Sequence, residues 1–191
     1  MNRVYLSADQ LLADSYRLAL DIIDSGFRPQ LLIGIWRGGA PVAIAVHEML
    51  CYLGFGCDHM PVRTSSYDGI GQRNREVKAF GMDCLPPLAD CERILLVDDV
   101  FDTGCSLQHI VDELHKRHGK QSLDIRIATP WYKPDNNLTP LTPDFYLQQT
   151  ADWLVFPHEL DGLAADEAIA NKPALAPLAG RLRAALAAAG K

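Results

Sequence analysis

The segment Ile94–Leu107, ILLVDDVFDTGCSL, concentrates side chains able to do chemistry. An apolar run from Ile94 to Val97 ends in adjacent carboxylates, Asp98 and Asp99. A third carboxylate, Asp102, follows, and Thr103-Gly104-Cys105-Ser106 then leads into the amphipathic stretch SLQHIVDELHKRHG. The apolar run has the character of a buried parallel strand. The stretch after it predicts a helix closed by Gly119, with Lys116, Arg117 and His118 in the last turn, where cations suit the dipole. In parallel α/β sheets, ligands bind where strands end and helices begin. A helix N-terminus offers unpaired N–H groups and a positive dipole end, so it holds phosphate without Lys or Arg. Gly104 lets the backbone close in, and the Thr103 and Ser106 hydroxyls can donate to phosphate oxygens. Paired carboxylates need cationic or hydroxyl partners, and the vicinal hydroxyls of a sugar, with Mg²⁺ nearby, satisfy both. The segment therefore predicts a phosphorylated sugar as ligand. The plainer alternative is a strand end whose acids cap the helix, although one Asp, Ser or Thr suffices for a cap.

The elements that must position this segment follow from periodicity. LLADSYRLALDII, Leu11 to Ile23, has helical spacing, with Asp9 or Ser7 as cap and Gly26 as stop. PQLLIGIW predicts a buried strand that Arg37-Gly38-Gly39 breaks, and APVAIAVHEMLCYLG then predicts a helix ending at Gly54. Residues 57–64 suggest a further strand, and SSYDGIGQRNREVKAFGMDCLPP is expected to be a long functional or disordered loop. LDIRIATPWY and DWLVFP suggest two more strands. Strands alternating with helices imply an α/β domain with a mainly parallel sheet. From Gly162 the composition turns alanine-rich, and LAGRLRAALAAAG is expected to be helical, serving packing or an oligomer contact.

Bulk properties exclude several function classes. A chain of 191 residues fits one domain with a small appendage. A net charge of −6 opposes a general nucleic-acid footprint, which needs a basic face. No apolar run reaches membrane-spanning length, and MNRVYLSADQ is not a secretory signal, so the cytoplasm is the expected compartment. Five cysteines, an odd number scattered along the chain, suggest reduced thiols. The spacing of Cys51, Cys57 and His59 fits no common zinc pattern.

ILLVDDVFDTGCSL resembles the PRPP-binding motif of the type I phosphoribosyltransferases, where PRPP is 5-phosphoribosyl 1-diphosphate. The likeness covers most of residues 1–160. It implies that Asp98 and Asp99 bind the ribose hydroxyls, and that Asp102, Thr103, Gly104, Cys105 and Ser106 cradle the 5′-phosphate. Many members have Lys or Arg where Cys105 stands and Thr where Ser106 stands; the backbone donors survive both changes. GIWRGGAP resembles the family's diphosphate loop, giving Arg37, Gly38 and Gly39 that role and implying a cis peptide at Trp36–Arg37. Read alone, it is a plain glycine turn. RTSSYDGIGQ resembles the mobile catalytic loop of purine members, mapping its Ser-Tyr pair to Ser66 and Tyr67, where closure excludes water from the reacting ribosyl centre. Composition alone allows a disordered loop there.

WYKPD and DWLVFPHEL bear on the base. The resemblance implies that Lys133 donates to a purine O6, Trp153 stacks on the base and the Leu154 backbone reads its edge. It also places Glu159, together with Asp98 and Asp99, near Mg²⁺. By residue type alone, Trp153 is a core aromatic and Lys133 a solvated lysine. An ammonium is donor-only, so it complements a carbonyl oxygen and opposes an adenine amino group. In this mapping Asp102 lies between phosphate and base, where it accepts or shares the purine N7 proton. One departure is that only His158 offers a basic group just after the hood.

The resemblance thus implies a type I phosphoribosyltransferase fold over 1–161, with a hood at about 131–161 and an Ala-rich tail at 162–191. The closest likeness is to hypoxanthine/xanthine-guanine enzymes. It implies Mg²⁺-dependent transfer from PRPP to a 6-oxopurine, giving a nucleoside 5′-monophosphate (GMP, IMP or XMP) and diphosphate. A homodimer or homotetramer, with no nucleic acid or membrane partner, completes the expectation. The alternatives are another base on the same fold, or a regulator that senses PRPP or nucleotide.

Overall fold

The computed structural model describes residues 3–67, 76–86, 91–118 and 123–190. Its elements run β1 (Arg3–Tyr5), α1 (Ala8–Asp24), β2 (Leu31–Trp36), α2 (Gly39–Tyr52), β3 (Asp58–Tyr67), β4 (Glu76–Phe80), β5 (Arg93–Val97) and β6 (Val100–Phe101). They continue with α3 (Cys105–His118), β7 (Asp124–Tyr132), β8 (Phe145–Gln149), β9 (Trp153–Val155), α4 (Ala165–Asn171) and α5 (Ala179–Ala188). Contacts gather the chain into two compact units, Leu12–Ala151 and a second of Met1–Leu11 with Asp152–Lys191.

The larger unit carries the expected α/β fold. Its sheet runs β4-β3-β2-β5-β7-β6, with β8 also on β7, and every pair but β3–β4 is parallel. The central strands read as unbroken apolar runs because both of their faces are covered. Leu31, Ile33 and Ile35 of β2 and Ile94 and Leu96 of β5 share one buried cluster with Leu107, Ile110 and Leu114 of α3. The apolar stripe of α3, spaced at three and four residues, therefore seats that helix on the sheet beside the strand that feeds it. At the head of α1, the Ser7 hydroxyl accepts the Gln10 N–H, making Ser7 the cap.

Two expectations need correction. The polar stretch after residue 64 is not simply a loop: β3 runs on to Tyr67 and pairs antiparallel with β4, from Arg63↔Phe80 to Tyr67↔Glu76. Ladder hydrogen bonds are made by backbone, so an edge hairpin forms without an apolar pattern. The intervening residues 68–75 lie outside the described part, as does Gly119. Strand β8 was also unforeseen. The Asp144 carboxylate accepts the Ile127 N–H at 2.8 Å and the Asp144 N–H reaches Ile127 O at 2.9 Å, docking the start of β8 against β7.

In the smaller unit β1 pairs parallel with β9, Arg3↔Trp153 through Tyr5↔Val155. The tail is helical, as its composition implied: α4, a 3₁₀ segment at Pro173–Leu178, then α5. Among the described residues, no helix is long and apolar enough to cross a membrane.

Candidate active site

Neighbouring parallel strands deliver the first part of the site. β2 and β5 are in register with Gly34 opposite Val97, so the residues that follow them emerge side by side at the carboxyl edge of the sheet. The Trp36–Arg37 peptide is cis, as the resemblance implied. The glycine loop then presses on the diacid. A Cβ on Gly38 would stand 2.1 Å from Asp99 Oδ2, and one on Gly39 would stand 2.7 Å from both Asp98 Cα and Val97 O. At Gly38 the obstacle is the Asp99 carboxylate, and at Gly39 it is backbone. Gly38, at the head of α2, makes no side-chain cap, and the first amides of that helix turn inward: the Gly39 N–H meets the Asp98 carboxylate and the Ala40 N–H donates to Arg37 O at 3.3 Å.

The two carboxylates differ in setting. Asp99 is buried as a whole residue, and Asp98 accepts the Asp99 N–H at Oδ1 at 2.9 Å. Burial, and then the neighbouring Asp99 charge, push the Asp98 carboxyl well above the usual carboxylate range; the Asp99 and Gly39 amides pull the other way. Two acids so close repel as anions, and a bound cation or a set of hydroxyl donors relieves that repulsion.

The second helix start lies just downstream. Gly104 has φ +75°, and a Cβ there would meet Thr139 Oγ1 at 2.6 Å and the Phe101 ring at 2.7 Å. Only glycine serves at this turn. The Gln108 N–H to Gly104 O bond, 2.8 Å, opens the α3 ladder. Thr103 is exposed, Cys105 and Ser106 are partly so, and the Cys105 N–H has only a long 3.4 Å contact with Thr103 Oγ1. The amide end of α3 thus faces solvent in the manner of an anion cradle.

Between cradle and sheet stands Asp102. β6 pairs with the end of β7, and the Lys133 N–H donates to Phe101 O at 2.9 Å, which sets Lys133 beside Asp102. Lys133 is 5% exposed, and its Nζ lies 3.5 Å from Asp102 Oδ2. The sequence reading missed Asn136, whose Nδ2 donates to Asp102 Oδ1 at 2.7 Å. The available signal was Lys-Pro-Asp-Asn: Pro134 opens a 3₁₀ turn, Pro134–Asn136, and residues three apart eclipse one another in such a turn.

Arg37, Gly38, Gly39, Asp98, Asp99, Asp102, Thr103, Gly104, Cys105, Ser106 and Lys133 all belong to the larger unit. The backbones of Ser66 and Tyr67 end β3, and their side chains lie outside the described part. Trp153, Leu154 and Glu159 belong to the smaller unit. There Trp153 is 55% exposed, Leu154 is buried, and Glu159 closes a turn. The Glu159 Oε2 accepts the Phe156 N–H at 3.1 Å, and the Glu159 N–H returns to Phe156 O at 3.0 Å. His158 stacks on the Phe156 ring at a centroid distance of 5.7 Å.

The chain matches the phosphoribosyl transferase domain over residues 5–162. It is 31% identical over 178 residues to a xanthine-guanine phosphoribosyltransferase of Desulfotalea psychrophila, covering 92% of each chain. A hypoxanthine-guanine phosphoribosyltransferase of Lactococcus lactis is 28% identical over 149 residues, covering 76% of this chain and 75% of that one. The crystal structure of a purine phosphoribosyltransferase from Pyrococcus horikoshii superposes with a TM-score of 0.67 at 28% identity, covering 86% of this chain and 98% of that one. The matched range includes both helix-start loops, and the chain belongs to the phosphoribosyltransferase family.

Proposed function

We propose that this protein transfers the 5-phosphoribosyl group of PRPP to a 6-oxopurine, giving the nucleoside 5′-monophosphate and diphosphate, as a cytoplasmic purine-salvage enzyme. The observation that carries the choice of base is Lys133, a buried ammonium at the end of β7 beside Asp102. A donor-only group favours a carbonyl oxygen over an amino group at the position it faces. The xanthine-guanine and hypoxanthine-guanine names of the relatives support the same choice.

In this reading the amides at the start of α3, with Thr103 and Ser106, hold the 5′-phosphate. Asp98 and Asp99 accept the ribose hydroxyls, while Arg37, Gly38 and Gly39 take the diphosphate. Trp153 stacks on the base and the Leu154 backbone meets its edge. Ser66 and Tyr67 cover the reacting carbon. The bond from the ribose C1′ to the diphosphate oxygen breaks, its electron pair leaving with diphosphate, as the purine N9 bonds to C1′. The N7 proton of the base passes to the Asp102 carboxylate.

Phosphoribosyltransferases generally take PRPP with Mg²⁺. The hard carboxylate oxygens of Asp98 and Asp99, adjacent at the end of β5, suit that ion, and the family likeness adds the Glu159 carboxylate. Held by these residues, Mg²⁺ would offset charge on the leaving group. A homodimer or homotetramer belongs to the same reading.

A spectrophotometric screen with PRPP, Mg²⁺ and single bases tests it. The expected result is turnover of hypoxanthine, guanine or xanthine and none of adenine. Turnover confined to adenine, uracil or orotate would replace the base assignment. No turnover, with nucleotide still bound, would favour a sensing regulator.

A further inference from the structure

We propose that Lys172, in the tail, is a positioning residue for base recognition: it clamps the turn that follows Trp153 and Leu154. This rests on the oxopurine reading, which assigns those residues to the base. Lys172 is 7% exposed, so its ammonium is withdrawn from water. Its Nζ donates to Phe156 O at 2.6 Å and reaches Pro157 O at 3.4 Å. A buried ammonium is retained only where acceptors meet it, and here the acceptors are carbonyls of the turn that leads to Glu159.

The rest of the tail holds Lys172 in place. Its N–H closes the last bond of α4, to Ala168 O at 2.9 Å, so the cation also sits at the helix end whose dipole suits it. One turn earlier, Glu167 accepts hydrogen bonds from the Arg3 guanidinium and the Tyr5 hydroxyl of β1. β1 is itself paired with β9, which carries Trp153 and Leu154. The connections form a closed circuit: β9, its following turn, α4, β1 and β9 again. Phe156 is the node of that circuit, because its C=O takes both Lys172 Nζ and the Glu159 N–H, and its N–H meets the Glu159 carboxylate. The alanine-rich tail thereby sets the shape of the segment that reads the base. Removing the clamp should loosen base binding most, and touch PRPP only through Glu159, because the amide cradle at the start of α3 belongs to the other unit.

The test compares full-length wild type with Lys172→Met, which keeps the stem and removes the donors. Two readouts apply: steady-state kinetics with base and PRPP varied separately, and amide exchange over residues 153–160. The expected result is a rise of about tenfold in KM for the base, in line with losing a hydrogen bond to a charged group, and a smaller rise, about threefold, in KM for PRPP through Glu159. Exchange over 153–160 should quicken. Unchanged base KM and unchanged exchange would overturn the proposal, as would a loss confined to PRPP. If K172M does not fold, Glu167→Ala, which removes the acceptor that ties α4 to β1, should raise the base KM by about threefold, and no rise overturns the proposal. If wild type turns over no oxopurine, the base assignment fails on its own, and the exchange comparison alone still decides whether Lys172 clamps the turn.

Discussion

Asn136 donates a 2.7 Å hydrogen bond to Asp102 Oδ1 while Lys133 stands 3.5 Å from the other carboxylate oxygen. One short turn therefore grips Asp102 at both ends, and the carboxylate cannot rotate without breaking a contact. Positioned proton acceptors contribute roughly 10²- to 10⁴-fold, so Asp102→Asn should lower kcat by about 10²-fold or more. Asn136→Ala, which frees one oxygen, should lower kcat by about tenfold with KM for PRPP within about twofold. An unchanged kcat in both would remove Asp102 from the proton path.

Asp98 offers a test that reads stability against pH. Folding raises its pKa, so the fold favours the neutral acid; the stability linked to it is complete below the ordinary Asp range and is lost as pH rises through the raised value. Asn at this position is neutral at every pH. Asp98→Asn should therefore melt above wild type at pH 8, with the gap closing as the pH falls to about 4. The same variant should raise KM for PRPP about tenfold or more. Melting curves that stay parallel across pH would contradict the burial account.

Gly39 lies against backbone rather than a movable side-chain tip. A methyl group there meets Asp98 Cα and Val97 O at 2.7 Å, so α2 or the end of β5 must shift. Gly39→Ala should destabilise the fold by about 1–3 kcal/mol and abolish measurable PRPP use. Thermal melting and a PRPP-dependent rate check both, and a fully active alanine variant would deny the loop its place against the diacid.

Lys133→Met keeps the buried stem and removes the donor. A lost hydrogen bond to a charged group is worth about 1.5–3 kcal/mol, so kcat/KM for guanine or hypoxanthine should fall by about 10- to 100-fold. Discrimination against adenine should weaken in parallel. Retained discrimination would move base selection to another residue.

Much of this was legible in the sequence where the cause is local. The diacid strand end, the cradle at Thr103–Ser106 and the glycine loop are short contiguous signals, since strand, turn and helix start are written next to one another. The hairpin of β3 and β4 was hidden because its residues are polar and its bonds come from backbone. β8 was hidden because a single side chain, Asp144, docks its start from a stretch rich in Thr and Pro. Asn136 and Lys172 were missed for a different reason: their partners lie 34 and 16 residues away, and no periodicity reports such a pairing.

The most direct measurement is a crystal structure of the protein with a 6-oxopurine nucleoside monophosphate. The phosphate should lie at the start of α3, within hydrogen-bond reach of the Gly104–Ser106 amides, with the ribose hydroxyls on Asp98 and Asp99. A nucleotide bound elsewhere, with that helix start taken only by water, would contradict the account.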